Sequence, residues 1–230
     1  MEDSSLKPVP AESVYVYEAP VRVWHWVNAA AIVVLCVTGY LIGSPPPTMS
    51  GEASAHFLFG DIRFTHFVAA YVLMVGFLGR VYWAWAGNAA AREIFLPPVY
   101  KKGFWSDFFH ELRWYALIEK APRKHEGHNP LAVLAMHFMF VWCVIFMMIT
   151  GMALYGQGTG PDSWQYHLFT SWVIPLFGQS QTVHTFHHLG MWVIVCFVII
   201  HIYAAVREEL MSRQSIISSM VSGWRAFRKE

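Results

Sequence analysis

Long apolar stretches joined by short polar ones dominate the chain. Asp, Glu, Lys and Arg are absent from Val23 to Gly51, from Phe64 to Gly79, from Gly127 to Pro161 and from Ser163 to Val206, and the second run resumes after Arg80 through Ala91. A helix of about 20 apolar residues crosses the hydrocarbon of a bilayer. The pattern therefore predicts spans at about 26–43, 64–86, 131–153 and 187–206. The third and fourth runs exceed one span, so each must include uncharged loop. Ser44-Pro45-Pro46-Pro47 closes the first span, since successive prolines cannot continue a helix. That span is no cleavable signal peptide: a polar stretch precedes it and no small-residue cleavage site follows it. The expected fold is an all-α integral membrane protein, a bundle of four transmembrane helices in a single membrane domain over residues 1–230. Residues 1–20 read as a flexible leader and 207–230 as a tail. Residues 104–115 carry aromatics at helical spacing, which predicts a helix lying on the membrane surface or packed on the bundle.

Composition sharpens this. Apolar residues make up 56% of the chain and charged residues only 13%, against about 25% charged in soluble domains. The formal charge of +1 says little, but its distribution says much. The segment between the second and third spans carries Arg92, Lys101, Lys102, Arg113, Lys120, Arg123 and Lys124, and the tail is basic too. The loops at about 44–62 and 154–186 hold no Lys or Arg. Positive charge marks the cytoplasmic side, so both termini are expected in the cytoplasm. The expected surroundings are lipid, with no nucleic-acid partner. Cys36, Cys143 and Cys196 fall within spans and away from metal-ligand spacing, and no CxxCH is present for covalent haem attachment.

The histidines carry the candidate chemistry. Ionisable groups within a membrane are costly and usually functional, and His25, His66, His187 and His201 sit at span ends. In the predicted topology His25 and His201 share the cytoplasmic depth, and His66 and His187 share the outer depth. Fourteen residues separate His187 from His201, which at 100° per residue is about 40° short of four turns and a rise of about 21 Å. Both rings then point one way, as ligands of two stacked cofactors must. Counted back from His201, His188 and His184 lie well off that face, although both neighbour His187 and stay open as outer ligands. Bis-imidazole ligation in the pairs His25/His201 and His66/His187 suits electron transfer through two b-type haems.

Arg22 and Arg63 each stand three residues before a candidate ligand, on its face, where arginine could meet a haem propionate. Arg80 lies 14 residues after His66, at the depth of the inner haem, and could do the same. Gly39 lies 14 residues after His25 and would let a flat macrocycle approach its helix. Gly127-His128-Asn129-Pro130 opens the third span beside the expected inner haem. His128 and Asn129 could serve a quinone there, or Asn129 could simply cap the helix with Pro130 in its first turn.

Several motifs resemble one family. Tyr17-Glu18-Ala19-Pro20-Val21-Arg22-Val23-Trp24-His25-Trp26, Thr38-Gly39-Tyr40, Ser50-Gly51-Glu52, Gly127-His128-Asn129-Pro130, His184-Thr185-Phe186-His187, Leu189-Gly190-Met191-Trp192 and Tyr203-Ala204-Ala205-Val206-Arg207-Glu208 are similar to those of the cytochrome b subunits of membrane-bound nickel–iron hydrogenases. The likeness runs from about residue 14 to 224. It implies an anchor and electron-transfer subunit that is not itself the hydrogen-cleaving enzyme. Its partners would be the hydrogenase small (iron–sulfur) and large (nickel–iron) subunits, with quinone as electron acceptor near the inner haem. The related formate dehydrogenase gamma subunit implies the same four-histidine plan. Two rivals stand beside this reading: a di-haem cytochrome b of another dehydrogenase or reductase, and a non-redox anchor or transporter.

Overall fold

The computed structural model describes residues 11–47, 50–52, 56–212 and 215–228. In chain order the elements are strand β1 (Ala11–Tyr15), helices α1 (Ala19–Gly43), α2 (Leu58–Ala86), α3 (Ala89–Arg92), α4 (Phe104–Tyr115) and α5 (Pro130–Ala135), a π-helical stretch at Met136–Trp142, and α6 (Cys143–Thr159). A second π-helical stretch at Tyr166–Thr170 follows, then α7 (Ser171–Phe177), α8 (Ser180–Ser212), α9 (Ile216–Ser222) and strand β2 (Trp224–Arg228). Four helical segments are long and apolar enough to cross a membrane: Ala19–Gly43, Leu58–Ala86, Pro130–Thr159 and Ser180–Met211. Each includes the corresponding sequence-derived span and extends beyond it, because polar turns add to the helix outside the hydrocarbon. Asp61 in the first turn of α2 is one such residue, favoured there by the helix dipole. Much of the apolar surface of these helices is open, including Val33, Phe64, Val75, Trp85 and Ile199, as lipid contact requires. The chain is a multi-pass membrane protein.

The chain forms two compact units. Unit 1 comprises Met1–His25, Arg80–Ala135 and Ile199–Glu230; unit 2 comprises Trp26–Gly79 and Met136–Val198. Of the 13 described Lys and Arg, 12 belong to unit 1 and Arg63 belongs to unit 2.

Unit 1 is held by polar links between segments distant in sequence. The leader expected over 1–20 is structured where it is described: β1 pairs antiparallel with β2, Ala11 opposite Arg228 and Tyr15 opposite Trp224. Residues 1–10 lie outside the described residues. A lone two-stranded ribbon is marginal in water, and here it is anchored. Gly223 accepts from the backbone N–H of Val16 (2.9 Å) and Tyr17 (3.2 Å). Gly223 has a φ of 89°, and a Cβ there would sit 2.7 Å from the Tyr17 carbonyl oxygen, so only glycine fits. The Glu18 carboxylate accepts from Trp83 Nε1 (3.0 Å) and from the Asn88 backbone N–H (2.9 Å), and Asn88 caps α3 through Ala91 N–H. Helix α4 is packed on the unit: its Trp114 is buried, and Arg207 stacks on that ring at 4.4 Å while donating to the Trp114 carbonyl at 2.8 Å. A desolvated cation–π contact of this kind is worth about 2 kcal/mol.

Unit 2 is apolar and close-packed by small residues. Ala153, Val173 and Val183 form a buried cluster. Thr170 Oγ1 donates to the Ala153 carbonyl at 2.7 Å. Gly156 admits this approach, since a Cβ there would lie 2.9 Å from Tyr166 N and would strike the Thr170 hydroxyl.

Candidate functional site

The four span-end histidines fall two to each unit, in the pairs expected from depth. In unit 1 the His25 and His201 rings lie 6.3 Å apart between centroids, inclined at 48°. Two imidazoles bound on opposite sides of one metal, through bonds of about 2.0–2.1 Å with about 1.2 Å from nitrogen to ring centre, have centres about 6.4 Å apart. The pair is spaced to take one metal between its rings. Among the described residues no group of three or more His, Cys, Asp or Glu could hold a bare ion.

Unit 1 also holds Arg22 and Arg80. Arg80 is 3% exposed, with its guanidinium 5.4 Å from the Trp24 ring and 5.2 Å from the Phe95 ring. Its Nε and Nη1, and Arg22 Nε, are buried donors with no hydrogen-bond partner among the described residues. Arg22 Nη1 donates to the Val221 carbonyl. Buried guanidinium donors left unmet are costly, and a carboxylate is the group that would satisfy them. Imidazoles at metal-bridging distance with unmet arginine donors in the same unit fit a haem and its propionates.

Unit 2 places His66 and His187 on one cavity of about 770 Å³, lined mostly by apolar side chains that include Leu35, Met74, Met147 and Met191. That volume suits a ligand of cofactor size. Thr38 Oγ1 lies 2.9 Å from His66 Nδ1, and Thr150 Oγ1 lies 2.8 Å from His187 Nδ1. Arg63, also on the cavity, is exposed, with its guanidinium 5.7 Å from the Phe67 ring. Gly39 lines the cavity as expected, but a Cβ there would meet His66 Cε1 at 3.3 Å, so its first effect is to clear space for a histidine. His184 and His188 also line the cavity, with their own partners. His188 Nε2 accepts from Trp192 Nε1 at 3.1 Å, and His184 Nδ1 lies 3.1 Å from the Ser180 carbonyl.

The His128–Asn129 candidate sits in a buried polar network of unit 1. Asn129 Oδ1 accepts from Ala132 N–H at 2.7 Å, the capping role, and its Nδ2 donates to Glu208 at 3.4 Å. His128 Nε2 is 3.1 Å from the Tyr17 hydroxyl, and its Nδ1 is 3.6 Å from Glu93. Burial, the largest influence on it, pushes the Tyr17 phenol well above its ordinary range, so it stays protonated. Arg225 reaches Glu208 at 3.5 Å and the Gly127 carbonyl at 2.5 Å. Tyr17, Glu93, Glu208 and Arg225 escaped the sequence reading. The Tyr-Glu and Arg-Glu motifs contain Tyr17 and Glu208, but nothing local links them to His128. Among the remaining histidines, His137 Nε2 accepts from Trp142 Nε1 at 3.0 Å within one helical stretch. His125 lies 3.5 Å from the buried Glu111.

A helical membrane bundle with histidines paired in this way is the architecture of a transmembrane b-type cytochrome. A family model described as prokaryotic cytochrome b561 matches residues 16–223, and the chain belongs to that family. Its relatives include a protein of Azotobacter vinelandii, 62% identical over 95% of this chain and 90% of the relative, and one of Cupriavidus necator, 59% identical over 94% and 88%. Both are named "Probable Ni/Fe-hydrogenase B-type cytochrome subunit". An Escherichia coli relative, 46% identical over 93% of this chain and 91% of its own length, bears the name "Probable Ni/Fe-hydrogenase 1 B-type cytochrome subunit".

Proposed function

We propose that the chain is the membrane anchor and electron-transfer subunit of a nickel–iron hydrogenase. It would hold two b-type haems, one between His25 and His201 and one between His66 and His187. The observation that carries this is the 6.3 Å spacing of the His25 and His201 rings, within a family of b-type cytochromes. Arg22 and Arg80 would take propionates at the first site and Arg63 at the second. Bound there, haem would supply one-electron chemistry linking the hydrogenase iron–sulfur subunit to quinone. The chain's own contribution is to fix the imidazoles, exclude water and neutralise the propionates. Unit 1 carries most of the positive charge, which supports placing it and both termini at the cytoplasmic face of the inner membrane. Quinone is reduced there, with His128 and Glu93 as the proton supply and the Tyr17 hydroxyl aligning His128. The hydrogenase iron–sulfur subunit, with the nickel–iron subunit behind it, docks at the opposite face.

The test is His201→Ala in the assembled complex. Haem per chain should fall by half and hydrogen-dependent quinone reduction should cease, while hydrogen oxidation by a soluble dye persists. Full quinone reduction with unchanged haem content would overturn the assignment.

A further inference from the structure

Two short dipeptides, far apart in sequence, do the same thing in unit 2. Thr38-Gly39 lies on α1 and Thr150-Gly151 on α6. Thr38 Oγ1 is 2.7 Å from the Val34 carbonyl and 2.9 Å from His66 Nδ1. Thr150 Oγ1 is 2.8 Å from the Phe146 carbonyl and 2.8 Å from His187 Nδ1. Both threonines are buried, Thr150 to 1% exposure. The glycine that follows each clears the edge of the same ring: a Cβ at Gly39 would lie 3.3 Å from His66 Cε1, and one at Gly151 would lie 3.1 Å from His187 Cε1.

The geometry decides where the protons are. A threonine hydroxyl has one proton and two lone pairs. A backbone carbonyl can only accept, so contacts of 2.7 and 2.8 Å to the carbonyls four residues earlier require that proton. Were it turned instead to the histidine, two oxygen lone-pair sites would face each other at that distance inside an apolar unit. Each hydroxyl therefore offers a lone pair to its histidine, and Nδ1–H donates to it. The imidazoles then carry a proton at Nδ1, and in the neutral ring this leaves the Nε2 lone pair to bind a metal. The hydrogen bond on Nδ1 orients the ring and strengthens the nitrogen opposite as a donor.

We propose that Thr38 and Thr150 are positioning residues that fix the tautomer of His66 and His187 and set their strength as iron ligands, with Gly39 and Gly151 holding room for the rings. This rests on the reading that His66 and His187 ligate a haem. A stronger donor favours ferric over ferrous iron, so the two hydroxyls lower the reduction potential of that site.

The experiment uses the full-length subunit in membranes, with Thr38→Val, Thr150→Val, the matching Ser variants and His187→Ala. Haem per chain and a potentiometric titration of the reduced b-band are read for each. Val keeps the shape and removes the hydroxyl. Each Val variant should keep its haem and ease reduction of one site by about tenfold, which is 59 mV for a one-electron couple. Each Ser variant should restore the original midpoint. Val variants with full haem and unmoved midpoints would overturn the proposal while leaving the ligand assignment standing. If a Val variant loses haem, its Ser counterpart decides: wild-type haem and midpoint sustain the proposal, and a loss or shift in Ser too refutes it. His187→Ala retaining both haems would instead overturn the ligand assignment itself.

Discussion

The two histidine pairs sit in contrasting surroundings. In unit 2 the rings are held from inside the helices: each Nδ1 meets a threonine whose hydroxyl is already tied to its own helix, amid apolar side chains. Unit 1, which holds His25 and His201, contains buried arginines, the Tyr17–His128 contact and the Asn129–Glu208–Arg225 cluster, assembled from both ends of the chain. The difference follows from where polar groups can be satisfied. Within hydrocarbon a polar side chain must find its partner locally or across one helix contact. Toward an aqueous face, loops and termini can supply partners from any distance in sequence. Under the proposed function, the unit 2 site would hold electrons apart from water, and the unit 1 site would exchange protons.

The strongest test of the comparison is loss of a ligand. His66→Ala or His187→Ala should remove the haem of unit 2 and leave that of unit 1, and His25→Ala should do the reverse. Spectra of the singly loaded forms would then belong to one surrounding each. Any one of these variants that empties both sites would show that the two pairs do not bind independently.

Next in size is steric pressure on the outer ring. Gly151→Val should displace His187, since even a Cβ at that position would lie 3.1 Å from its Cε1, and outer haem should be lost or its spectrum altered. Gly79→Ala, where a Cβ would meet nothing within 4 Å, should change neither. Equal effects from the two would remove Gly151 from the site.

The four spans and the pairing of the span-end histidines were legible because both are long-wavelength signals. Charge-free runs mark a helix within hydrocarbon, and the 14 residues between His187 and His201 set the face of a helix that needs no partner to be defined. The Asn129 cap was legible too, since Asn-Pro before an apolar run is a local signature. The β1–β2 pairing was not. Each strand is five residues long, and Tyr15 meets Trp224 across almost the whole chain, so neither segment has a reason to be extended until the other is placed. Thr38 and Thr150 were hidden for a similar reason. A threonine in an apolar helix ordinarily just bonds back to its own carbonyl, and its second contact depends on a histidine on another helix. The repeat of Thr-Gly was the one visible hint. Gly39 was read as space for a macrocycle because its actual neighbour, His66, is set by helix packing.

A smaller effect is expected at Asn129. Removing the cap by Asn129→Leu should cost about 1 kcal/mol of stability, read as a lower thermal midpoint, and should leave Glu208 without one partner. Asn129→Ser should restore the cap. Asn129→Asp should restore it less well, because its carboxylate would face Glu208, now 3.4 Å from the amide nitrogen. Haem reoxidation by quinone separates capping from quinone binding: slowed turnover in Leu with full recovery in Ser assigns the cap, and slow turnover in both assigns a direct role to the amide.

The smallest expected change comes from Tyr17→Phe, which removes the hydroxyl 3.1 Å from His128 Nε2 and nothing else. One hydrogen bond of this kind is worth about 1 kcal/mol, so haem content and assembly should survive. Quinone-dependent haem reoxidation should slow, because His128 loses the partner that aligns it between Tyr17 and Glu93. The pH dependence tells whether Tyr17 acts as a fixed hydrogen-bonding group or as a titrating one. Burial raises its phenol above the ordinary value of about 10. The folded state then holds that proton more tightly than the unfolded state, so any stability linked to it is fully present below about pH 10 and is lost only as pH rises beyond it. The difference between Tyr17→Phe and the parent, in stability and in reoxidation rate, should therefore be flat from about pH 6 to 9. A gap that opens within that range would mean that Tyr17 itself exchanges its proton during turnover. The inner site would then relay protons through a phenol as well as through His128, and its contrast with the threonine-held outer site would be sharper still.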